Sequence, residues 1–454
     1  MSDGLVIIGG SDAGIMAGLW AKETDPSARV AILVRDGYPN FSICGIPFFV
    51  SGETPQWSML AHRTVDDLTE AGLDVRIDHE VTSIDPLRRV VLVKSTSGDL
   101  ELGYDQLVIG TGAAPVVPPI PGIDLPGVHV VHTMDDARSL RAAVDDGARR
   151  IVLIGAGYIG TEMADALAHR ELEVTIVEMA PAVLTTFDPD LGAAIGDRLA
   201  ERGVRVVCNT TVDRVDDGED GLVVYGSPDL RVEADVVLVA VGVRPESRLA
   251  ADAGVTVDGR GAIVVDDRMR TDVDAIWAAG DCVHTHHRLI PDPVYLPLGT
   301  TAHKQGRVAG INAVGGDAAY AGSLGTQAVK VLDRVAARTG LRNDEARAAG
   351  YDPLSSTVEV DDHKAYYPGA TKLTVRITGD GRTGRLLGAQ LIGTYGAEVS
   401  KRVDIVAAAL QADALVSSLC DLDLSYTPPL SSPWDPVQVA AHQWIREHRS
   451  ADLA

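Results

Sequence analysis

Cys44 stands in the run Phe41-Ser42-Ile43-Cys44-Gly45-Ile46-Pro47, just ahead of a stretch that reads as the start of a helix. A thiol at a helix amino end is acidified by the helix dipole and becomes a nucleophilic thiolate near neutral pH. The competing reading is a buried, inert cysteine. Five residues to either side stand Pro39 and Phe49, so no neighbouring thiol can close a disulfide with Cys44. As a redox group it would have to cycle through a mixed disulfide, a persulfide or a sulfenic acid. The other cysteines, Cys208, Cys282 and Cys420, are scattered and form neither a CxxC pair nor a zinc spacing. Cys208, read in an apolar strand, and Cys420, read at a helix end, are expected to be packing residues. His284, His286 and His287 cluster in a loop without carboxylate or cysteine ligands at metal spacing, so no metal site is expected.

A second kind of chemistry is written in glycines. Gly155-Ala156-Gly157-Tyr158-Ile159-Gly160 follows the apolar run Arg150 to Leu153 and precedes a helical pattern through His169. Gly155 permits the tight turn, Gly157 lets a pyrophosphate approach the backbone, and Gly160 lets helix pack on strand. The phosphates would then sit at the helix amino end. Glu178 closes the next strand, Val174 to Val177, where its carboxylate can accept from ribose hydroxyls. No Lys or Arg follows it directly, which favours NADH while leaving NADPH possible. Gly9-Gly10-Ser11-Asp12-Ala13-Gly14 repeats the grammar between Leu5 to Ile8 and a helix at Ile15 to Lys22, but Ser11 stands at the middle glycine. Val34 ends the following strand and Asp36 comes two residues later, so a purely structural turn remains open there. Further on, Ile276 to Ala278 runs into Ala279-Gly280-Asp281, which would present a carboxylate beside a helix amino end, suited to a ribityl hydroxyl. Two nucleotide units and this element together suggest FAD and NAD(P)H in one chain.

The elements that must hold these residues form three groups. At 454 residues the chain is too long for one core. Its 46% hydrophobic and 4% aromatic content, with abundant Gly and Ala, suits helices packed closely on sheets. The glycine junctions Leu107 to Gly112, containing Thr111 and Gly112, and Val237 to Gly242 read as domain crossings. The expected division is 1–112 with 243–322, then 113–242, then 323–454, the last with short strands such as Leu373 to Ile377 and a helix near Glu398 to Leu410. A net charge of −24 argues against nucleic acid or an anionic membrane as partner. Neither a signal-peptide core nor a run of about 20 apolar residues is visible, so a cytoplasmic location is expected.

These segments resemble the pyridine nucleotide-disulfide oxidoreductases, specifically the single-cysteine branch of coenzyme A disulfide reductases, NADH oxidases and NADH peroxidases. The resemblance is carried by Gly9 to Gly14, Ser42 to Pro47, Thr111-Gly112, Gly155 to Gly160, Ala279-Gly280-Asp281 and Pro297-Leu298-Gly299-Thr300-Thr301-Ala302-His303-Lys304-Gln305-Gly306. It implies an α/β chain with two Rossmann-like domains of the glutathione reductase kind and an α+β carboxy-terminal dimerisation domain. It implies FAD on Gly9, Ser11, Asp12, Ala13, Gly14, Asp36, Thr111, Gly112 and Asp281. NADH or NADPH would lie on Gly155, Gly157, Tyr158, Ile159, Gly160, Glu178 and Gly242.

Ala365-Tyr366-Tyr367-Pro368-Gly369 and Ser425-Tyr426-Thr427-Pro428-Pro429 resemble the segments that bring two tyrosines of one subunit over the cysteine of the other. Tyr426 and Tyr366 would then protonate a departing thiolate in a homodimer; packed core tyrosines are the alternative. His442 lies in no His-Pro-Thr segment and reads as a helix-surface residue. Two departures bear on the substrate. Asp12 stands where oxidases and peroxidases carry a histidine, and a carboxylate there would raise the thiol pKa and disfavour peroxide chemistry; Ile43 and Trp20 stand where coenzyme A reductases carry an asparagine and a basic residue, although Lys22 remains. The expected activity is NAD(P)H-dependent reduction of a small disulfide or persulfide. Oxidase or peroxidase chemistry through a sulfenic acid, and electron transfer to a protein acceptor, are the rivals.

Overall fold

The computed structural model describes residues 4–448; residues 1–3 and 449–454, at the outer ends of the expected first and third domains, lie outside the described residues. A five-stranded parallel sheet runs in the order Ile276–Ala278, Gln106–Ile109, Leu5–Ile8, Val30–Leu33, Asp74–Arg76. A second has the same plan: Val128–Val130, Val236–Val239, Arg150–Ile154, Glu173–Val177, Arg205–Val207. The central strands are apolar and buried along their whole length, as parallel strands covered on both faces must be. Each sheet carries a three-stranded antiparallel annex, His79–Asp85 to Leu100–Gly103 in one and Thr211–Gly218 to Leu230–Ala234 in the other. Ala113–Pro115 and Val243–Pro245 pair antiparallel, so the two chain crossings form one ribbon.

One helix outruns its sequence-based expectation. The first helix spans Asp12–Thr24 rather than Ile15 to Lys22, which puts Asp12 in its first turn. Its strand partner ends at Leu33, leaving Val34 just beyond it. Beyond Gly322 the sheet is antiparallel and five-stranded, with the nine-residue strands Lys372–Asp380 and Leu386–Thr394 at its centre, longer than the short strand expected. The Val399–Gln411 and Pro436–His448 helices cover it, and Trp444 is wholly buried. Cys208 falls just past the strand Arg205–Val207 rather than within it, while Cys420 ends the Val416–Cys420 helix as expected. His442 is not a plain surface residue: it is half-buried and meets the Trp434 ring edge-on at 4.9 Å. Among the described residues no helix is long and apolar enough to cross a membrane, and no cluster of His, Cys, Asp and Glu could hold a metal.

Candidate active site

Cys44 lies in the short 3₁₀ turn Ile43–Gly45, which leads into the helix Ile46–Ser51. That helix does not pack on its own sheet. Ile46, Phe49 and Val50 enter the apolar cluster built by Leu140, Leu153, Met163 and Leu167 around the second sheet. Arg141 donates to the Phe49 carbonyl, and Arg170 to that of Val50 at 3.3 Å, so the helix's carboxy end is capped from the second nucleotide unit. Upstream, the Asn40 amide donates to the Gly10 carbonyl at 2.7 Å and the Ser42 amide to that of Leu60 at 2.7 Å. The cysteine turn is therefore strung between the two nucleotide units, and Cys44 as a residue is exposed although its sulfur is crowded by the surrounding chain.

The electrostatics differ from the expected acidification. Desolvation by the surrounding chain pushes the Cys44 thiol up, and the nearby carboxylates of Glu162, Asp12 and Asp281 push it in the same direction. The adjoining helix is only six residues long, too short for its dipole to outweigh three carboxylates. Glu162, a residue given no role by the sequence, is itself raised to about 7 by burial and by Asp165, against the opposing pull of Lys330. Its one available signal was its position four residues after Tyr158, on the same helix face.

The first glycine loop has the geometry of a phosphate turn. A Cβ on Gly14 would lie 2.0 Å from the Gly9 carbonyl oxygen, which only glycine allows. Ser11 caps nothing through its side chain, and Asp12 and Ala13 open the helix. Asp36 is half-buried, accepts from the Tyr38 amide at 3.1 Å and is raised chiefly by desolvation. Thr111 Oγ1 donates to the Glu246 carbonyl at 2.5 Å, and the space where a Gly112 Cβ would stand is open. Asp281 follows the strand Ile276–Ala278; burial, with the charge of Asp12, raises it to about 7, and its Oδ1 is buried without a hydrogen-bond partner. A buried acceptor with no donor is costly unless something outside the chain supplies one. The ribityl hydroxyls of FAD are such donors, so these residues fit the flavin.

The second loop repeats the turn. A Cβ on Gly160 would lie 2.1 Å from the Gly155 carbonyl oxygen, while the space beside Gly157 is open. Glu178 is buried; its Oε2 accepts from the Ala156 amide at 2.7 Å and its Oε1 from the Ala180 amide at 2.8 Å. Each oxygen keeps a free lone pair, so the carboxylate is aimed and still able to receive a ribose hydroxyl. Tyr158 opens the helix Tyr158–His169 with Ile159 beside it. The Tyr158 hydroxyl is buried without a partner, and desolvation pushes the phenol upward. Gly242 faces open space at the far crossing, its carbonyl accepting from the Val116 amide at 2.9 Å.

Tyr366 and Tyr426 are both exposed, 73% and 44% in this single chain, against the packed-core alternative. Their loops touch, since the Lys364 amide donates to the Pro428 carbonyl at 3.2 Å. Buried Arg402 ties the same region together, donating to the Asp362 carbonyl at 2.7 Å and pairing with Asp435 at 3.0 Å. Lys22 is spent on the carbonyls of Pro26 and Ala28, at 2.6 and 2.9 Å. Of the histidine cluster, His287 is buried and lowered to about 4 by desolvation.

Residues 3–306 match the pyridine nucleotide-disulphide oxidoreductases, and residues 326–436 match the dimerisation domain of the same group. The chain is 32% identical over 439 residues to an NAD(P)H sulfur oxidoreductase (CoA-dependent) of Pyrococcus abyssi, covering 96% of this chain and 97% of that one. It is 30% identical over 446 residues to an NADH oxidase of Methanocaldococcus jannaschii, covering 97% and 98%. The structure of an NAD-dependent persulfide reductase from A. fulgidus superposes with a TM-score of 0.95 at 34% identity, covering 98% of this chain and 84% of that one.

Proposed function

The chain belongs to the pyridine nucleotide-disulphide oxidoreductases, which are FAD-dependent enzymes drawing on NAD(P)H, and on that footing we propose that it reduces a small disulfide or persulfide through Cys44. The observation that carries this reading is an exposed, unpaired cysteine strung between two nucleotide-binding turns. In this reading residues 1–112 and 243–322 hold FAD, 113–242 hold NADH and 323–454 form the dimer contact. Bound FAD supplies a carrier that takes two electrons from the nicotinamide and returns them to sulfur. Glu178 receives the nicotinamide nucleotide's ribose, and Tyr158 yields its place at the start of its helix.

Cys44 attacks one sulfur of the substrate disulfide, forming a mixed disulfide and releasing a thiolate. The overall reaction is NADH + H⁺ + RSSR → NAD⁺ + 2 RSH; for a persulfide, RSSH gives RSH and H₂S. The departing thiolate needs a proton, and Tyr426 with Tyr366 supplies it from the other subunit. Their exposure in a single chain, beside the exposed Tyr395, Leu430 and Trp434, supports a face that a second copy covers. Four free cysteines and a disulfide-reducing role suit the cytosol, where thiols are kept reduced. Lys22 is already committed to two carbonyls, which supports a thiol substrate smaller than coenzyme A or bound by other groups.

Replacing Cys44 by Ser tests the reading. NADH-dependent reduction of disulfides and persulfides should fall by roughly three orders of magnitude or more, with FAD still bound and still bleached by NADH. Turnover retained in the serine variant would sink it.

A further inference from the structure

The Asp12–Thr24 helix and the Gly299–Ala313 helix approach one another unusually closely. A Cβ on Gly306 would lie 2.3 Å from the Ala13 carbonyl oxygen, and one on Gly310 would lie 2.0 Å from that of Ala17. At the same end, a Cβ on Gly299 would stand 3.1 Å from Asp12 Oδ2. Contacts this tight allow neither sliding nor rotation of one helix on the other. They hold His303, one turn before Gly306, with its Nε2 at 3.1 Å from Asp12 Oδ1. The ring is at the surface, so the pair is neither a core polar contact nor a requirement of packing.

From this geometry we propose that His303 is a positioning residue for the redox thiol: its imidazolium pairs with Asp12 and so removes one of the negative charges that act against a thiolate at Cys44. The proposal rests on the reading of Cys44 as the redox group but not on which substrate it serves. The groups that face the two partners are few. Around Cys44 they are Glu162 from the Tyr158–His169 helix, Asp12 from the Asp12–Thr24 helix, and Asp281 after the strand Ile276–Ala278. Around His303 they are Asp12, which raises its pKa above the ordinary value, and Arg63, which opposes this. The step involves a proton alone. While His303 holds its proton, the His303–Asp12 pair is neutral as a unit and the thiolate meets two carboxylates. When His303 loses that proton as pH rises, Asp12 becomes a third, and the thiol is pushed further up.

The test is alkylation of Cys44 by iodoacetamide as a function of pH in the reduced, FAD-loaded protein, followed by mass spectrometry of the peptide containing Cys44. At neutral pH, where His303 holds its proton, His303→Gln should slow alkylation about threefold, the size expected of one nearby partly screened charge, and well above neutral, where the imidazole is already neutral, it should change nothing. Asp12→Asn should speed alkylation at neutral pH, and His303→Gln added to Asp12→Asn should not slow it. That non-additivity is what a purely structural role for His303 would not produce. A neutral-pH rate unchanged by His303→Gln, or slowed equally in the Asp12→Asn background, would overturn the proposal. Neither result touches the serine test at Cys44, so the two readings fail separately.

Discussion

The two glycine loops are built on one backbone plan yet offer a nucleotide different groups. In both, the amide of the first glycine donates to the last residue of the neighbouring strand, Gly9 to Leu33 and Gly155 to Val177. The next residue on that strand is where they part. In the second loop it is Glu178, whose carboxylate holds the Ala156 amide. In the first it is Val34, which lies against Gly10 so closely that a Cβ there would stand 2.5 Å from its Cγ2. An acid fixed at the rim suits a coenzyme that must arrive and leave on every cycle. Val34 offers the ribose nothing to hold at that position, which leaves Asp36, two residues on, and the unpartnered oxygen of Asp281 as the groups expected to hold the first unit's nucleotide.

Removing that oxygen should give the largest effect. Asp281→Ala deletes a buried acceptor worth about 1–3 kcal/mol, which corresponds to roughly five- to hundredfold weaker retention of FAD. Flavin fluorescence released on dilution measures it, and unchanged retention would break the contrast between the two loops. Next in size, Glu178→Gln should raise the KM for NADH about tenfold and leave kcat and flavin content nearly as they were, because the ribose contact is made alike in ground and transition states. A matching loss of FAD would show that the loops are not independent. The third effect is on stability rather than on binding. Gly10→Ala should lower it by about 1–3 kcal/mol through the clash with Val34, and Val34→Ala should relieve the loss. Ala156→Gly, where no such plug exists, should cost under about 1 kcal/mol. Thermal melts of the flavin-free protein compare the three directly.

Much of this site could be read before folding. The Gly155 to Gly160 turn and the acid at Glu178 stand at fixed offsets within one strand-turn-helix unit, and local periodicity suffices to find them. The third sheet was visible as strands, though not the full length of Lys372–Asp380: Lys372 to Ile377 alternates cleanly, but Thr378, Gly379 and Asp380 continue the strand with buried residues that carry no apolar signal. For the Cys44 thiol the helix start points to acidification and the Asp12 carboxylate to the opposite, and the structure sides with Asp12. A helix start is a local signal, whereas Glu162 and Asp281 reach the sulfur from segments far away in the chain. His303 was in view inside its motif, but nothing local says that its ring meets Asp12.

By itself, the order of residues determined that there would be two glycine turns of one kind, a lone thiol before a helix start, and a third domain of strands and a helix. These depend on interactions between near neighbours: backbone turns, the alternation of apolar residues and the spacing of glycines. Only the tertiary structure decided which charges surround that thiol. Coulombic forces act through space, and the carboxylates and the imidazole that set its reactivity become neighbours only when glycine-to-backbone contacts lock distant helices together.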